Sequence, residues 1–130
     1  MDWHGLEAFS SGDGPALTDA LAALVLAGKK TATCWAASEG MLTEIGKRMV
    51  VLSGAGRPLA VIETVELTRR RFDEVDAAFA HDEGEGDRSL AFWRSAHRAY
   101  FTRLGQFAED MPLCCERFRV VQRIPDPDGG

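Results

Sequence analysis

Cysteine is scarce in this chain, and its few copies are poorly spaced for cross-linking. The sequence has three cysteines, Cys34, Cys114 and Cys115, in 130 residues. Adjacent cysteines rarely pair with each other, and no C-x-x-C spacing is present. The pattern therefore predicts neither a disulfide framework nor a zinc site. We expect no metal site and no cofactor.

Basic residues are also in deficit. The chain has 15 lysines and arginines against 20 acidic residues, which gives a formal net charge of −5. Proteins that bind duplex DNA usually present a broad basic face, so this balance argues against that class of partner. The charge is uneven, however, because residues 88–130 hold seven arginines against five acids. A small basic cleft on an acidic protein is compatible with this distribution.

Long apolar runs and targeting signals are missing. No stretch is long enough to span a membrane, and the N-terminus, with Asp2, His4 and Glu7, has neither a basic nor an apolar leader region. We therefore expect a cytoplasmic protein without a membrane partner. The length suits one domain over residues 1–130, with a mobile tail at 125–130. Nothing indicates an oligomeric state.

Hydrophobic periodicity and turn residues predict an α+β domain. Residues 1–13 read as an irregular lead-in, and a helix with Pro15 in its first turn ends at Gly28. Ser89 caps a second long helix that extends to Leu104. The other predicted elements are strands at 31–37, 49–53, 59–67 and 113–124, a short helix at 73–80 and a loop at 83–87. Helices interspersed among about five strands, with hairpins, favour an α+β arrangement.

The junction after the first helix is the most informative stretch, and it runs Gly-Lys-Lys-Thr-Ala-Thr over residues 28–33. Gly28 can take the left-handed conformation that reverses the chain. Ammonium groups, hydroxyls and turning N–H groups then fall within a few residues, which suits an anionic or strongly polar ligand. The alternative is a helix end whose lysines simply complement the helix dipole.

Three blocks of the sequence resemble the ASCH family of the PUA-like superfamily, in its small single-domain bacterial form. The first matches the signature Gly-x-Lys-x-x-Thr-x-Arg through Gly28, Lys30 and Thr33, with Trp35 in place of the arginine. The second is 83–89, followed by Trp93, Arg94 and His97; the third comprises 111–112, 115–118 and 120–121.

The resemblance implies a fold and a site. ASCH domains are small PUA-like β-barrels, here of about five to six strands, with helices packed across the barrel ends. The implied cleft has Lys30 and Thr33 on one wall and an acid, Glu83 or Glu85, on the other. These four are the candidate catalytic residues. The candidate ligand-binding residues are Gly28, Lys29, Trp35, Arg94 and His97.

Such a site offers acid–base chemistry. A carboxylate can take a proton from water, and an ammonium can stabilise a developing oxyanion or a phosphate. Burial could instead lower the pKa of Lys30 so that it serves as the base. An ordinary ion pair between a helix end and a loop is the structural alternative. His97, on the apolar stripe of its helix, is more typical of a packing residue than of a catalyst.

The resemblance also implies the partners. We expect RNA or a nucleoside-like ligand. One interpretation is a hydrolase, which would act as an amidohydrolase on acetylated cytidine or as a ribonuclease. A non-catalytic RNA-binding module and a binder of another small ligand are the alternatives. Trp35, in place of the signature arginine, removes a phosphate-binding fork and adds an aromatic face, so the substrate stays open.

Overall fold

The computed structural model describes residues 3–9 and 15–125. The predicted mobile tail lies outside the described residues, apart from Pro125. Two short 3-10 turns, Ala37–Glu39 and Phe72–Glu74, accompany the main elements. The helices and strands are β1 (Glu7–Phe9), α1 (Pro15–Leu26), β2 (Ala32–Ala36), β3 (Arg48–Leu52), β4 (Pro58–Arg71), α2 (Ala77–Glu83), α3 (Leu90–Arg103) and β5 (Pro112–Arg123). The α+β class is confirmed.

The strands form one five-stranded sheet in the order β1-β3-β4-β5-β2. β1 runs parallel to β3, and the other neighbouring strands are antiparallel. The edge strands β1 and β2 do not pair with each other within the described part of the chain. The closed barrel that the resemblance implies is therefore not confirmed, since the sheet is open between two short edges.

Two predicted boundaries were wrong. Residues 1–13 are not irregular throughout, because Glu7–Phe9 pairs with β3; three residues are too few for periodicity to show. The short helix begins at Ala77 rather than at 73, because Asp76 accepts a hydrogen bond from the Phe79 N–H at 2.9 Å and caps it. Glu83 is consequently the last residue of α2, and not the first residue of a loop.

Apolar side chains cover both faces of β5. Leu113 and Cys115 belong to a cluster completed by α2 and α3. Phe118, an even-numbered position of the same strand, belongs to a second cluster with Val25 of α1. Because alternate side chains of a strand point to opposite faces, the helices lie on both sides of the sheet. Among the described helices, none combines the length and apolarity needed to cross a membrane.

Trp93 of α3 is a central part of the apolar core. It is only 2% exposed, and its ring centroid lies 5.2 Å from that of Phe72. Trp93→Ala should lower the free energy of unfolding by about 3–5 kcal/mol, as expected for a buried aromatic. Leu104→Ala, at an exposed position next to the end of α3, should change it by less than about 1 kcal/mol. Chemical denaturation of both variants checks this, and equal stability losses would contradict it.

Candidate functional site

The centre of the site is the buried ammonium of Lys30, which is 2% exposed. Lys30 lies two residues after Gly28, whose backbone is left-handed with φ +75°, and two residues before β2 begins. Lys30 Nζ donates to the Glu83 carbonyl at 3.2 Å, to Glu83 Oε2 at 3.4 Å and to Glu85 Oε2 at 3.2 Å. An ammonium has three N–H groups, so each has an acceptor.

The last turn of α2 is fastened to the α1–β2 junction by its backbone. The N–H of Thr31 donates to the carbonyl of Asp82 at 2.7 Å, and Arg117 of β5 donates to the Asp82 carboxylate at 3.0 Å. Lys30 binds the next carbonyl, that of Glu83, where the helix dipole is negative. The lysine therefore caps α2 as well as pairing with its acids.

Two unusual backbone positions bring the acidic loop close to the junction. Gly84 has φ +78°, and a Cβ there would lie 2.4 Å from the carbonyl oxygen of Lys29. Arg88 has φ 65°, and its guanidinium donates to the carbonyls of His81 and Lys29. The glycine permits the close approach and the arginine holds it.

Electrostatics keep the pair ionised. Burial acts to lower the pKa of Lys30, but the charges of Glu83 and Glu85 outweigh it and raise that pKa above its usual value. Burial acts to raise the pKa of Glu83, but Lys30 and then His97 hold it below its usual value. The hypothesis of a neutral Lys30 that acts as a base is therefore not favoured.

His97 and Cys34 complete the floor of the site. His97 Nε2 lies 3.6 Å from Glu83 Oε2, and its ring stacks on Trp93 at 4.3 Å between centroids. Burial, and then the negative charge of Glu83, raise the pKa of the Cys34 thiol well above its usual value. Cys34, Glu83 and His97 each offer a donor atom within 4.8 Å of the others, so they are the described residues that could hold a metal ion.

These residues lie at a cavity of about 560 Å³, a volume within the usual range for small-molecule sites. Its lining comprises Leu17, Leu21, Lys30, Thr33, Cys34, Trp35, Glu39, Leu42, Glu83, Glu85, Ala96, His97, Tyr100, Phe101 and Arg103. A smaller cavity of about 270 Å³ shares the wall from Thr33 to Trp35 and reaches Glu116. One strand, β2, thus separates and serves both spaces.

The structure gathers most of the predicted site residues and leaves three outside. Six of them line the larger cavity: Lys30, Thr33, Trp35, Glu83, Glu85 and His97. Gly28, Lys29 and Arg94 are exposed and are not among its lining residues. The Trp35 indole is fixed by a hydrogen bond from Nε1 to the Gly40 carbonyl at 2.8 Å.

Sequence reasoning missed Cys34 and Glu116 as residues that line the two cavities. Cys34 lies within the strand predicted at 31–37, and a lone cysteine in a strand does not by itself indicate a cleft. Glu116 is 3% exposed, and its Oε2 accepts a hydrogen bond from the Thr64 hydroxyl at 2.6 Å. The hydroxyl oxygens of Thr64 and Thr43 lie 2.9 Å apart. Burial raises the pKa of Glu116. A carboxyl directly after the apolar residues Leu113, Cys114 and Cys115 of β5 is the one signal that could have found it.

A family model described as the ASCH domain matches residues 7–122. The chain belongs to the ASCH family. That span includes every residue of the candidate site and every element of the fold just described, apart from the last residue of β5, Arg123. The family expected from the three sequence blocks is therefore confirmed.

Solved structures agree with this assignment. The crystal structure of the ASCH domain from Lactobacillus crispatus JV V101 is 36% identical, with a TM-score of 0.82, and the match covers 89% of this chain and 79% of that one. Protein EF3133 from Enterococcus faecalis V583 is 29% identical, with a TM-score of 0.78, over 95% and 80% of the two chains. No curated protein matches this ASCH chain.

The contact of the acidic loop with the junction can be tested with two glycines. Gly28 and Gly84 both have a left-handed φ, but a Cβ at Gly28 meets nothing within 4 Å. Each Ala substitution should cost about 1–2 kcal/mol for its conformation, and Gly84→Ala should cost at least about 1 kcal/mol more because it strikes backbone. Thermal unfolding of both variants measures the difference. Equal losses would mean that the loop moves away without cost.

Glu116 gives a prediction about pH. The pKa of Glu116 is higher in the folded protein than in the unfolded chain. The free energy of unfolding should therefore fall as the pH rises from the unfolded-chain pKa to the folded-state pKa, because the folded protein resists loss of this proton. Glu116→Gln, which stays neutral, should therefore raise Tm at pH 7 by a few degrees, about what 1 kcal/mol produces in a domain of this size. At pH 4 the two proteins should melt within about a degree of each other. A variant that is less stable at pH 7 would show that the ionised carboxylate stabilises the fold.

Proposed function

We propose that this ASCH protein binds a nucleoside, or the exposed nucleotide of a single-stranded RNA, and hydrolyses an amide on its base, as in acetylated cytidine. The observation that carries the proposal is the buried Lys30–Glu83 pair, which lines a cavity of about 560 Å³ together with Thr33. The ASCH family has a PUA-like fold associated with RNA binding, which supports this class of ligand.

The charge at the floor of the cavity favours an uncharged reacting group. Lys30 contributes one positive charge, and Glu83 and Glu85, at 3.4 and 3.2 Å from Nζ, contribute two negative ones. The cluster thus has a net charge of −1, which repels a phosphodiester. An amide carbonyl has no charge until water attacks it. For this reason we prefer the amidohydrolase to the ribonuclease.

Each residue then has a defined task. Glu83 takes a proton from water, and the resulting hydroxide attacks the amide carbonyl carbon. The Lys30 ammonium and the Thr33 hydroxyl donate to the oxyanion of the tetrahedral intermediate. Glu83 next returns the proton to the departing exocyclic nitrogen as the carbon–nitrogen bond breaks. The products are acetate and the free amino nucleoside.

Glu85 supplies the place where substrate enters this network. All three donors of Lys30 are already used, so a substrate oxygen must replace one acceptor. The Glu85 side chain is 31% exposed, whereas that of Glu83 is 3% exposed. Solvating Glu85 is therefore the less costly exchange, and we assign it to holding Lys30 until substrate arrives.

A non-catalytic RNA-binding module is the second candidate, and the aromatic wall of the cavity favours it. Trp35 and Tyr100 both line the cavity, and Tyr100 is 37% exposed. Aromatic faces stack on single-stranded bases without any chemistry. Both candidates use the same cavity, so they differ in turnover and not in where the base binds.

The decisive experiment measures cytidine and acetate released from acetylated cytidine. Glu83→Gln and Thr33→Val should each reduce kcat by about 100–1,000-fold, the usual effect of removing a preorganised catalytic group. Lys30→Met should also be inactive, but it leaves a buried carboxylate unpaired and should lose about 3–5 kcal/mol of stability. It is therefore the weaker test of chemistry.

Lys29→Met is the matched control, because Lys29 is the exposed neighbour of Lys30 in the sequence. It should retain wild-type turnover. Glu83→Gln should still bind the product cytidine, as measured by calorimetry. A wild-type protein that binds cytidine without turning over the acetylated form would overturn the hydrolase and establish the binding module.

A further inference from the structure

The cavity floor contains a cluster of metal-binding residue types that come from three separate elements. Cys34 lies on β2, Glu83 ends α2 and His97 lies on α3. One donor atom from each lies within 4.8 Å of the other two. Because these residues are far apart in the sequence, no ligand spacing could reveal the cluster.

His97 is oriented as a metal ligand would be. Its Nδ1 lies 2.9 Å from the carbonyl oxygen of Trp93, and a carbonyl can only accept, so Nδ1 carries the hydrogen. In the neutral ring Nε2 then has a lone pair, 3.6 Å from Glu83 Oε2. Metal-binding histidines are commonly fixed in this way by a second hydrogen bond. Ligand bonds of about 2.0–2.3 Å in a tetrahedral zinc site put donor atoms at similar separations, about 3.3–3.7 Å apart.

Glu83 supplies an independent indication. Its Oε2 faces Lys30 and His97, but its Oε1 is buried and has no hydrogen-bond partner among the described residues. A buried carboxylate oxygen without a partner is costly unless something binds it. A cation held by one oxygen of Glu83 would leave the other for Lys30.

Charge balance also fits a divalent ion. Lys30, Glu83 and Glu85 together have a charge of −1. When Zn²⁺ binds, the Cys34 thiol gives up its proton to solvent as the zinc–sulfur bond forms. The thiolate then makes the protein charge −2, which the ion neutralises.

We propose that Cys34, Glu83 and His97 form a Zn²⁺-binding site whose fourth coordination position opens into the cavity. A thiolate and an imidazole favour Zn²⁺ over Mg²⁺ and Ca²⁺, which prefer oxygen ligands. Three protein ligands with one position open is the arrangement of accessible zinc sites. This inference does not depend on the proposed hydrolase, because metal binding is measured without substrate.

The test uses the full chain, freed of metal by a chelator and kept reduced. Zn²⁺ titrated against a chromophoric chelator should bind at one equivalent per chain, with micromolar or lower Kd. Co²⁺ should give the near-ultraviolet charge-transfer absorption of a thiolate ligand together with the intense visible bands of a tetrahedral site. Mg²⁺ in millimolar excess should not displace either ion.

Variants identify the ligands. Cys34→Ser should abolish the charge-transfer band and lower the affinity for Zn²⁺ at least about 100-fold, which exceeds the effect of losing an outer-sphere contact. His97→Phe, which retains an aromatic ring against Trp93, should weaken it similarly. Cys114→Ser is the matched control, since Cys114 points to the opposite face of β5 from Cys115, the partner of Cys34. Weaker than millimolar binding, or unchanged affinity in Cys34→Ser, would overturn the proposal.

Discussion

The burial of one ammonium group governs the site. Lys30 is largely shielded from solvent at 2% exposure, so its three donors need protein acceptors. Those acceptors come from Glu83 and Glu85, 53 and 55 residues further along the chain. The end of α2 must therefore dock against the α1–β2 junction, and the left-handed Gly84 allows it to do so. Fold and site depend on the same contact.

The elements that the sequence predicted well are those with strong local signals. Gly28 lies just after α1 and Ser89 just before α3, and each fixes a boundary within a residue or two; the strand predicted at 113–124 is likewise displaced by one residue from β5. The start of α2 was predicted too early, because Asp73 and Asp76 are the same residue type and the local sequence does not show which of them caps the helix. Whether a sheet closes depends on its edge strands, about which local patterns say nothing.

The site shows the same division. The signature motif identified Lys30, Thr33 and the acidic loop, but not the burial of the lysine, because Lys29 and Lys30 are equivalent in local sequence. One is exposed and the other is buried, according to which of them faces α2. Cys34 and Glu116 act through neighbours from distant elements, so no spacing rule could have selected them.

Glu83 is the residue on which the two proposals meet. Its carboxylate can accept a proton from water only while its electron pairs are free, and a bound zinc ion would occupy one of them. The same carboxylate cannot serve as an unrestricted base and as a zinc ligand at one time. Lys30 does not resolve this competition, because it pairs with Glu83 Oε2 and leaves Oε1 without a partner among the described residues. The unpaired oxygen is therefore what both proposed chemistries require, and under these proposals a metal ion and a water molecule would compete for it.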